Sequence, residues 1–318
     1  MAATEGGDTA DAADAADAAD AGELVRLAAG PLELEVVPKV GARLHRLRAF
    51  GTDLLRTPDD LRPYLDDPYF YGSYPMAPWC NRVPAGRSLG AGRMIDLPAS
   101  FPDGSAIHGQ VSRRAWTMVE AGADAATFRI VGGGDGWPWP YEVIQRIRIV
   151  GLRLELSLGL TNLAPDPMPG GLGFHPWFRS PVLVRIGGAM IHPDNLVTLP
   201  HPVPVSGARD LRRLGRMAHG LDATWTDMSD PPIVLFRPDA GLRSTFTIDA
   251  PTRFVTAANL FDDAIAVEPQ THAPDGLGRL ARGEPGGLTL VAPGATLELR
   301  VAIDFDQVED PDRAVAGS

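Results

Sequence analysis

Glu268 and the histidines His108 and His175 are the side chains of this sequence best suited to moving protons. A carboxyl and an imidazole, with ordinary pKa values of ~4.3 and ~6.5, can together take a proton from one substrate oxygen and give one to another. Glu268 follows the apolar run Ala264-Ile-Ala-Val and precedes Pro269. Proline has no N–H for a ladder, so the pattern predicts a strand that ends there and hands the carboxylate to a pocket. His175 lies in Pro169-Gly-Gly-Leu-Gly-Phe-His-Pro-Trp177-Phe178. Glycines let a ligand approach the backbone, and Trp177 offers a flat apolar wall. His108 precedes Gly109, with Arg113, Arg114 and Trp116 downstream. On local context alone His108 reads better as a satisfied structural histidine, and a single carboxylate is most often a solvated surface group.

Two further groups are suited to holding hydroxyls. Asn81-Arg82 follows the aromatic, proline-rich stretch Tyr74-Pro-Met-Ala-Pro-Trp79. An amide supplies a donor and acceptors, and a guanidinium supplies a planar fork; the competing reading is a surface ion pair. Asp222 sits in Gly220-Leu-Asp-Ala-Thr-Trp-Thr-Asp227, where either aspartate could accept from a ligand or close an Asx turn. Rival chemistries lack their residues. No His pair has metal-ligand spacing, Gly132-Gly-Gly-Asp-Gly has no following Lys-Ser/Thr, and no Gly-x-Ser-x-Gly elbow occurs. The expectation is chemistry without metal or cofactor. Cys80, the only cysteine, excludes an intrachain disulfide and reads as a small buried hydrophobe.

The elements that must position these groups are strands. Glu23–Leu27, Leu32–Val37, Thr127–Val131, Val143–Val150, Leu152–Leu160, Ser244–Ile248 and Thr296–Ile303 alternate or nearly alternate apolar and polar residues. Val143–Val150 and Leu152–Leu160, separated by Gly151, predict a hairpin with one wet face. Helical patterns are nearly absent; Leu211–Met217 is too short and too arginine-rich. The 35 glycines and 30 prolines fall between short apolar runs. Together these predict an all-β chain, a large antiparallel β-sandwich in one uninterrupted domain over 23–308. Residues 1–22, built on Asp-Ala-Ala repeats, read as a disordered acidic tail, and 309–318 as a flexible C-terminal tail.

A formal charge of -11 argues against nucleic acid as a partner. With no basic-then-apolar leader and no apolar run near the ~20 residues that span a bilayer, a cytoplasmic location without membrane partners is expected.

The order Asn81-Arg82, His108-Gly109, Gly173-Phe-His175-Pro-Trp177-Phe178, Leu221-Asp222, Glu268-Pro-Gln-Thr271 resembles the aldose 1-epimerase (mutarotase) family over almost everything after residue 24. That resemblance implies an extended, galactose mutarotase-like β-sandwich and the interconversion of the α and β anomers of a free sugar. It implies that Glu268 takes the C1 hydroxyl proton and His175 protonates the ring oxygen. His108 and Arg82 would steady the ring-oxygen side, Asn81 and Asp222 would orient distal hydroxyls, and no cofactor is needed. Trp177 stands where the family commonly has tyrosine, and the stretch Arg253–Asn259 lacks the glutamine often found on the strand before the catalytic glutamate. Both departures bear on which hydroxyls are read. Two alternatives remain: an epimerase of a phosphorylated hexose, with Arg87, Arg93, Arg113 or Arg179 as extra cations, and a non-catalytic sugar-binding protein.

Overall fold

The computed structural model describes residues 24–195 and 199–308, so the expected tails at 1–22 and 309–318 lie outside the described residues. Period-two patterning becomes strand as expected. Trp137–Val150 and Arg153–Asn162 form the predicted hairpin, with Val150 paired to Arg153 around Gly151. Along the first of these strands Trp137, Trp139, Tyr141, Val143, Gln145, Ile147 and Ile149 are buried and the residues between them are more open to solvent. Each large apolar side chain so buried contributes about 1.5–3 kcal/mol. Gln145, the polar exception, donates to the Ala42 carbonyl at 2.8 Å.

The fold is an antiparallel β-sandwich built around one long strand, Asp222–Arg237. Its C-terminal end pairs with Leu242–Asp249, and that side continues through Thr296–Gln307, Arg153–Asn162 and Trp137–Val150. Its N-terminal end pairs with Phe254–Ala258. From there the sheet continues through Ala264–Gln270, Gly173–Arg179 and Ser73–Met76 to Arg43–Ala49, Leu32–Val37 and Val25–Ala29. A single cluster of buried apolar residues draws on both halves. The candidate chemistry sits on the second.

Two local expectations are corrected. The strand carrying Glu268 does not end at Pro269: it runs from Ala264 to Gln270, and Pro269 stands opposite Val255. The ladder on its other side tolerates the missing N–H. There the recorded pairs skip from Gly173–Gln270 to Trp177–Ala266, across the stretch that holds Pro176 and Pro269. A short helix, Gly276–Arg282, also forms where no helical pattern was read, and it stops at Gly283 with a φ of 66°. Among the described residues no helix is long and apolar enough to cross a membrane.

Candidate active site

The register of five strands lays polar side chains across the sheet in one line. His175 stands opposite Tyr74, Glu268 opposite Thr256, and Thr256 opposite Thr224. The Gly173–Gln270 and Trp177–Ala266 pairs set His175 opposite Glu268. Directly opposed side chains share a face with Cβ atoms about 4.5–5.5 Å apart. A second line runs beside the first, from Trp177 through Ala266 and Ala258 to Asp222. Its two alanines leave room between the indole and the carboxylate. The result is a cleft whose wall includes Asn81, Arg82, His108, His175, Trp177, Asp222 and Glu268. The seven residues to which the resemblance gave roles therefore lie on one cavity.

His175 and Glu268 form its centre. Nε2 of His175 is 3.2 Å from Oε1 of Glu268, and the two residues are 5 % and 3 % exposed. The imidazole is sandwiched by aromatics: it stacks on Tyr74 with ring centroids 4.7 Å apart and leans on Trp177 at 5.3 Å. Nδ1 of His175 and Oε2 of Glu268 are buried with no hydrogen-bond partner. An ion pair in this setting would leave both charges poorly solvated, so burial drives each group to its neutral form. Burial pulls His175 down to about 3 and pushes Glu268 well above the usual carboxyl range, with the Asp222 carboxylate adding to the latter. Reference pKa values suggested an ionised glutamate beside a readily protonated histidine. Burial reverses that.

The loop pair Asn81-Arg82 and His108-Gly109 closes one side. Asn81 and His108 both adopt positive φ, 57° each, a conformation that costs an ordinary side chain about 1–2 kcal/mol. The two positions hold each other there. His108 N–H donates to the Asn81 carbonyl at 3.1 Å, and Asn81 N–H donates to Nδ1 of His108 at 3.3 Å. With Nδ1 accepting and burial keeping the ring neutral, the His108 proton sits on Nε2, a donor for the cleft. Gly109 is required at the corner: a Cβ there would lie 2.0 Å from the Ala77 carbonyl oxygen. Arg82 donates through Nε to Asp103 at 2.7 Å and lies over the Phe101 ring. The guanidinium is thereby fixed with its other N–H groups still to give.

On the far side, Trp177 gives its only side-chain donor to the Tyr69 carbonyl at 2.7 Å. It is a wall without a hydrogen bond to offer. Asp222, rather than Asp227, belongs to the cleft; it accepts a short hydrogen bond from Asn195, whereas Asp227 is exposed, with φ 56°. Of the four arginines considered as extra cations, Arg87 pairs with Asp96, Arg93 with Asp166, and Arg179 donates to the Leu55 and Thr57 carbonyls. Arg113 alone approaches the site, its guanidinium 5.6 Å from the centre of the cleft-lining Tyr69 ring. Among the described residues no three of His, Cys, Asp and Glu converge as a metal would require. Cys80 is buried, and burial pushes its thiol well up, as suits a packing residue.

Several residues that shape the site had no signal in the sequence. Arg43 is fully buried and donates to the carbonyls of Val40, Pro68, Tyr71 and Ser112, tying the loop that carries Tyr69 and Phe70 to the sheet. Its guanidinium also lies 5.1 Å from the centre of the Tyr74 ring, beneath His175. In an alternating run an arginine reads as an outward residue, and only the fold turns it inward. Thr256 and Asn195 were likewise invisible as site residues.

The family model described as aldose 1-epimerase matches residues 23–301. The uncharacterized protein YphB of Escherichia coli (strain K12) is 24 % identical over 253 residues, covering 73 % of this chain and 83 % of that protein. The solved GalM/aldose epimerase homologue from C. elegans superposes with a TM-score of 0.78 at 15 % identity, over 90 % of this chain and 99 % of that one. A galactose mutarotase-like protein from Clostridium acetobutylicum gives 0.76 at 17 % identity, over 89 % and 95 %. At those identities the solved structures speak for the fold. The family match spans the whole cleft and nearly all of the sandwich, and on it the chain belongs to the aldose 1-epimerase family.

Proposed function

We propose that this protein exchanges the α and β anomers of a free aldose, with Glu268 and His175 as the paired acid and base. The observation that carries the reading is the carboxyl and imidazole held 3.2 Å apart in a cleft whose remaining polar groups suit hydroxyls. Ring opening needs the C1 hydroxyl to lose a proton while the ring oxygen gains one. A Glu268 carboxylate takes the first proton and the His175 imidazolium supplies the second; the bond between C1 and the ring oxygen breaks, and C1 becomes an aldehyde. Glu268 is then protonated and His175 neutral. That is the state burial favours, so the proton pattern of the pair suits the open-chain aldehyde. To meet a closed sugar, the pair moves one proton from Glu268 to His175. The C1 hydroxyl, as a donor to the carboxylate, and the nearby positive charge of Arg82 favour that shift. Rotation about the C1–C2 bond and reversal of the transfers closes the ring on its other face.

His108 Nε2–H and Arg82 stand on the donor side, where a ring oxygen would be steadied, while Asn81 and Asp222 would orient distal hydroxyls. Polarimetry of freshly dissolved α-glucose, α-galactose, xylose and arabinose tests the reading. Equilibration faster than in buffer is expected for at least one of them. Buffer rates throughout would contradict it, and binding without acceleration would favour a sugar-binding protein. The position of Arg113 beside Tyr69 favours one further substrate for the panel, glucose 6-phosphate.

A further inference from the structure

Behind the cleft wall Asp222, Asn195, Thr224 and Thr256 form an unbroken run of hydrogen bonds, and chemistry fixes its direction. Asn195 donates from its amide nitrogen to a carboxyl oxygen of Asp222, a group that burial pushes above its ordinary value. The amide oxygen then faces the other way and accepts from Thr224 Oγ1 at 2.8 Å. A threonine hydroxyl carries one hydrogen, and that of Thr224 is now committed. The 2.6 Å contact between Thr224 Oγ1 and Thr256 Oγ1 must therefore use the hydrogen of Thr256. Asn195, Thr224 and Thr256 are 4 %, 0 % and 2 % exposed, so water does not scramble this order. Thr256 lines the cleft, opposite Glu268 on the neighbouring strand.

We propose that this relay makes Thr256 a specificity-determining residue: a locked acceptor, with no hydrogen to give, that takes a hydrogen bond from one sugar hydroxyl beside Asp222. Asn195 and Thr224 are positioning residues that set the lock. The inference rests on the sugar reading of the cleft. An unconstrained threonine would satisfy donors and acceptors alike. A locked one demands a donor, and a buried acceptor left without one penalises the ligand that lacks it. The cleft would then be divided, with hydrogens offered by His108 and Arg82 at one end and demanded by Thr256 and Asp222 at the other.

The test uses the aldose that the wild type turns over, together with its monodeoxy and monofluoro-deoxy analogues. Dissociation constants come from calorimetry, and kcat and KM from polarimetry. In the wild type one position is expected at which removing the hydroxyl weakens binding about tenfold, and fluorine, which accepts but cannot donate, does not restore it. Thr256→Val should bind the parent sugar about tenfold more weakly, lose that discrimination and keep kcat within about threefold. Thr256→Ser should restore the wild-type pattern. Thr224→Val frees the hydrogen of Thr256 and should recover part of the binding of the fluoro analogue. Wild-type affinities and preferences in Thr256→Val, or an unchanged fluoro preference in a folded Thr224→Val, overturn the relay while leaving anomer exchange intact. If Thr224→Val does not fold, Thr256→Val decides. A wild type that neither binds nor turns over any aldose overturns both this inference and the sugar reading.

Discussion

His175 and His272 are both buried, and burial pulls them down to about 3 and about 4, yet their surroundings differ in kind. His272 is finished. Its Nε2 accepts from Cys80 N–H at 2.8 Å, and its Nδ1–H donates to the Ala273 carbonyl at 2.7 Å. Glycines at 171 and 276 let backbone press so close that a Cβ would lie 2.3 and 2.4 Å from the ring. His175 has a free Nδ1 and only the Glu268 carboxyl near Nε2, whose second oxygen is also unpartnered. A histidine with both nitrogens committed serves the fold. One held by ring stacking and a single carboxyl, with its other nitrogen unpartnered, is costly to the fold and open to a substrate. Burial alone does not separate the two roles; the completeness of the hydrogen bonding does.

The comparison is sharpened most by removing the open member. His175→Ala should lower turnover by about 10²–10⁴-fold in polarimetry while the fold survives, and combining it with Glu268→Gln should cost less than the product of the single losses.

Lowering the pH tests what the buried histidines share. His45, His108, His175, His192 and His272 all have folded pKa values below the ordinary value, each chiefly through burial. A depressed histidine contributes stability that is present above ~6.5 and is lost as the pH falls toward the folded value, because only the unfolded chain takes up the proton. Each fully depressed histidine then costs on the order of 2 kcal/mol at pH 5. Glu268, pushed up, works in the opposite direction below its own folded pKa, but it is outnumbered. Denaturant midpoints should fall between pH 7 and pH 5, and a flat profile would contradict this.

His272→Ala leaves Cys80 N–H buried without a partner and opens a cavity. A loss of about 2–4 kcal/mol is expected by denaturation, with turnover of the folded fraction within about threefold of wild type. A fall like that of His175→Ala would break the comparison. In kcat/KM against pH, the free enzyme should show no inflection near ~6.5: the acid limb should follow His175 down to about 3 and the alkaline limb the raised Glu268. An inflection at the ordinary histidine value would mean that the site opens to water more than this structure does. The smallest effect concerns residues 1–22, which hold no aromatic or branched apolar side chain to bury. Deleting them should leave Tm and turnover at full-length values.

Much of this was legible in the sequence, for identifiable reasons. Alternation marked the hairpin of Val143–Val150 and Leu152–Leu160 because one face of it packs against the core and the other meets water. The seven cleft residues were legible through the order of motifs that resembles the aldose 1-epimerase family, since the local context of His108, Arg82 and Glu268 also allowed structural or surface readings. Pro269 misled because its missing N–H matters only to one of its two neighbouring strands. Thr256 and Arg43 were silent because alternation does not say which polar residue of a strand turns inward. The proton states of His175 and Glu268 were unreadable because they depend on desolvation, which no motif encodes.

The most direct test follows α-glucose, or the aldose that responds best, to anomeric equilibrium with wild type and with Glu268→Gln at equal concentration near pH 7. The account predicts clear acceleration over buffer by the wild type. It predicts that Glu268→Gln, with an unchanged or higher Tm, retains no more than about one hundredth of that acceleration. Near wild-type exchange by Glu268→Gln would contradict the central claim that this carboxyl and His175 act together on the anomeric centre.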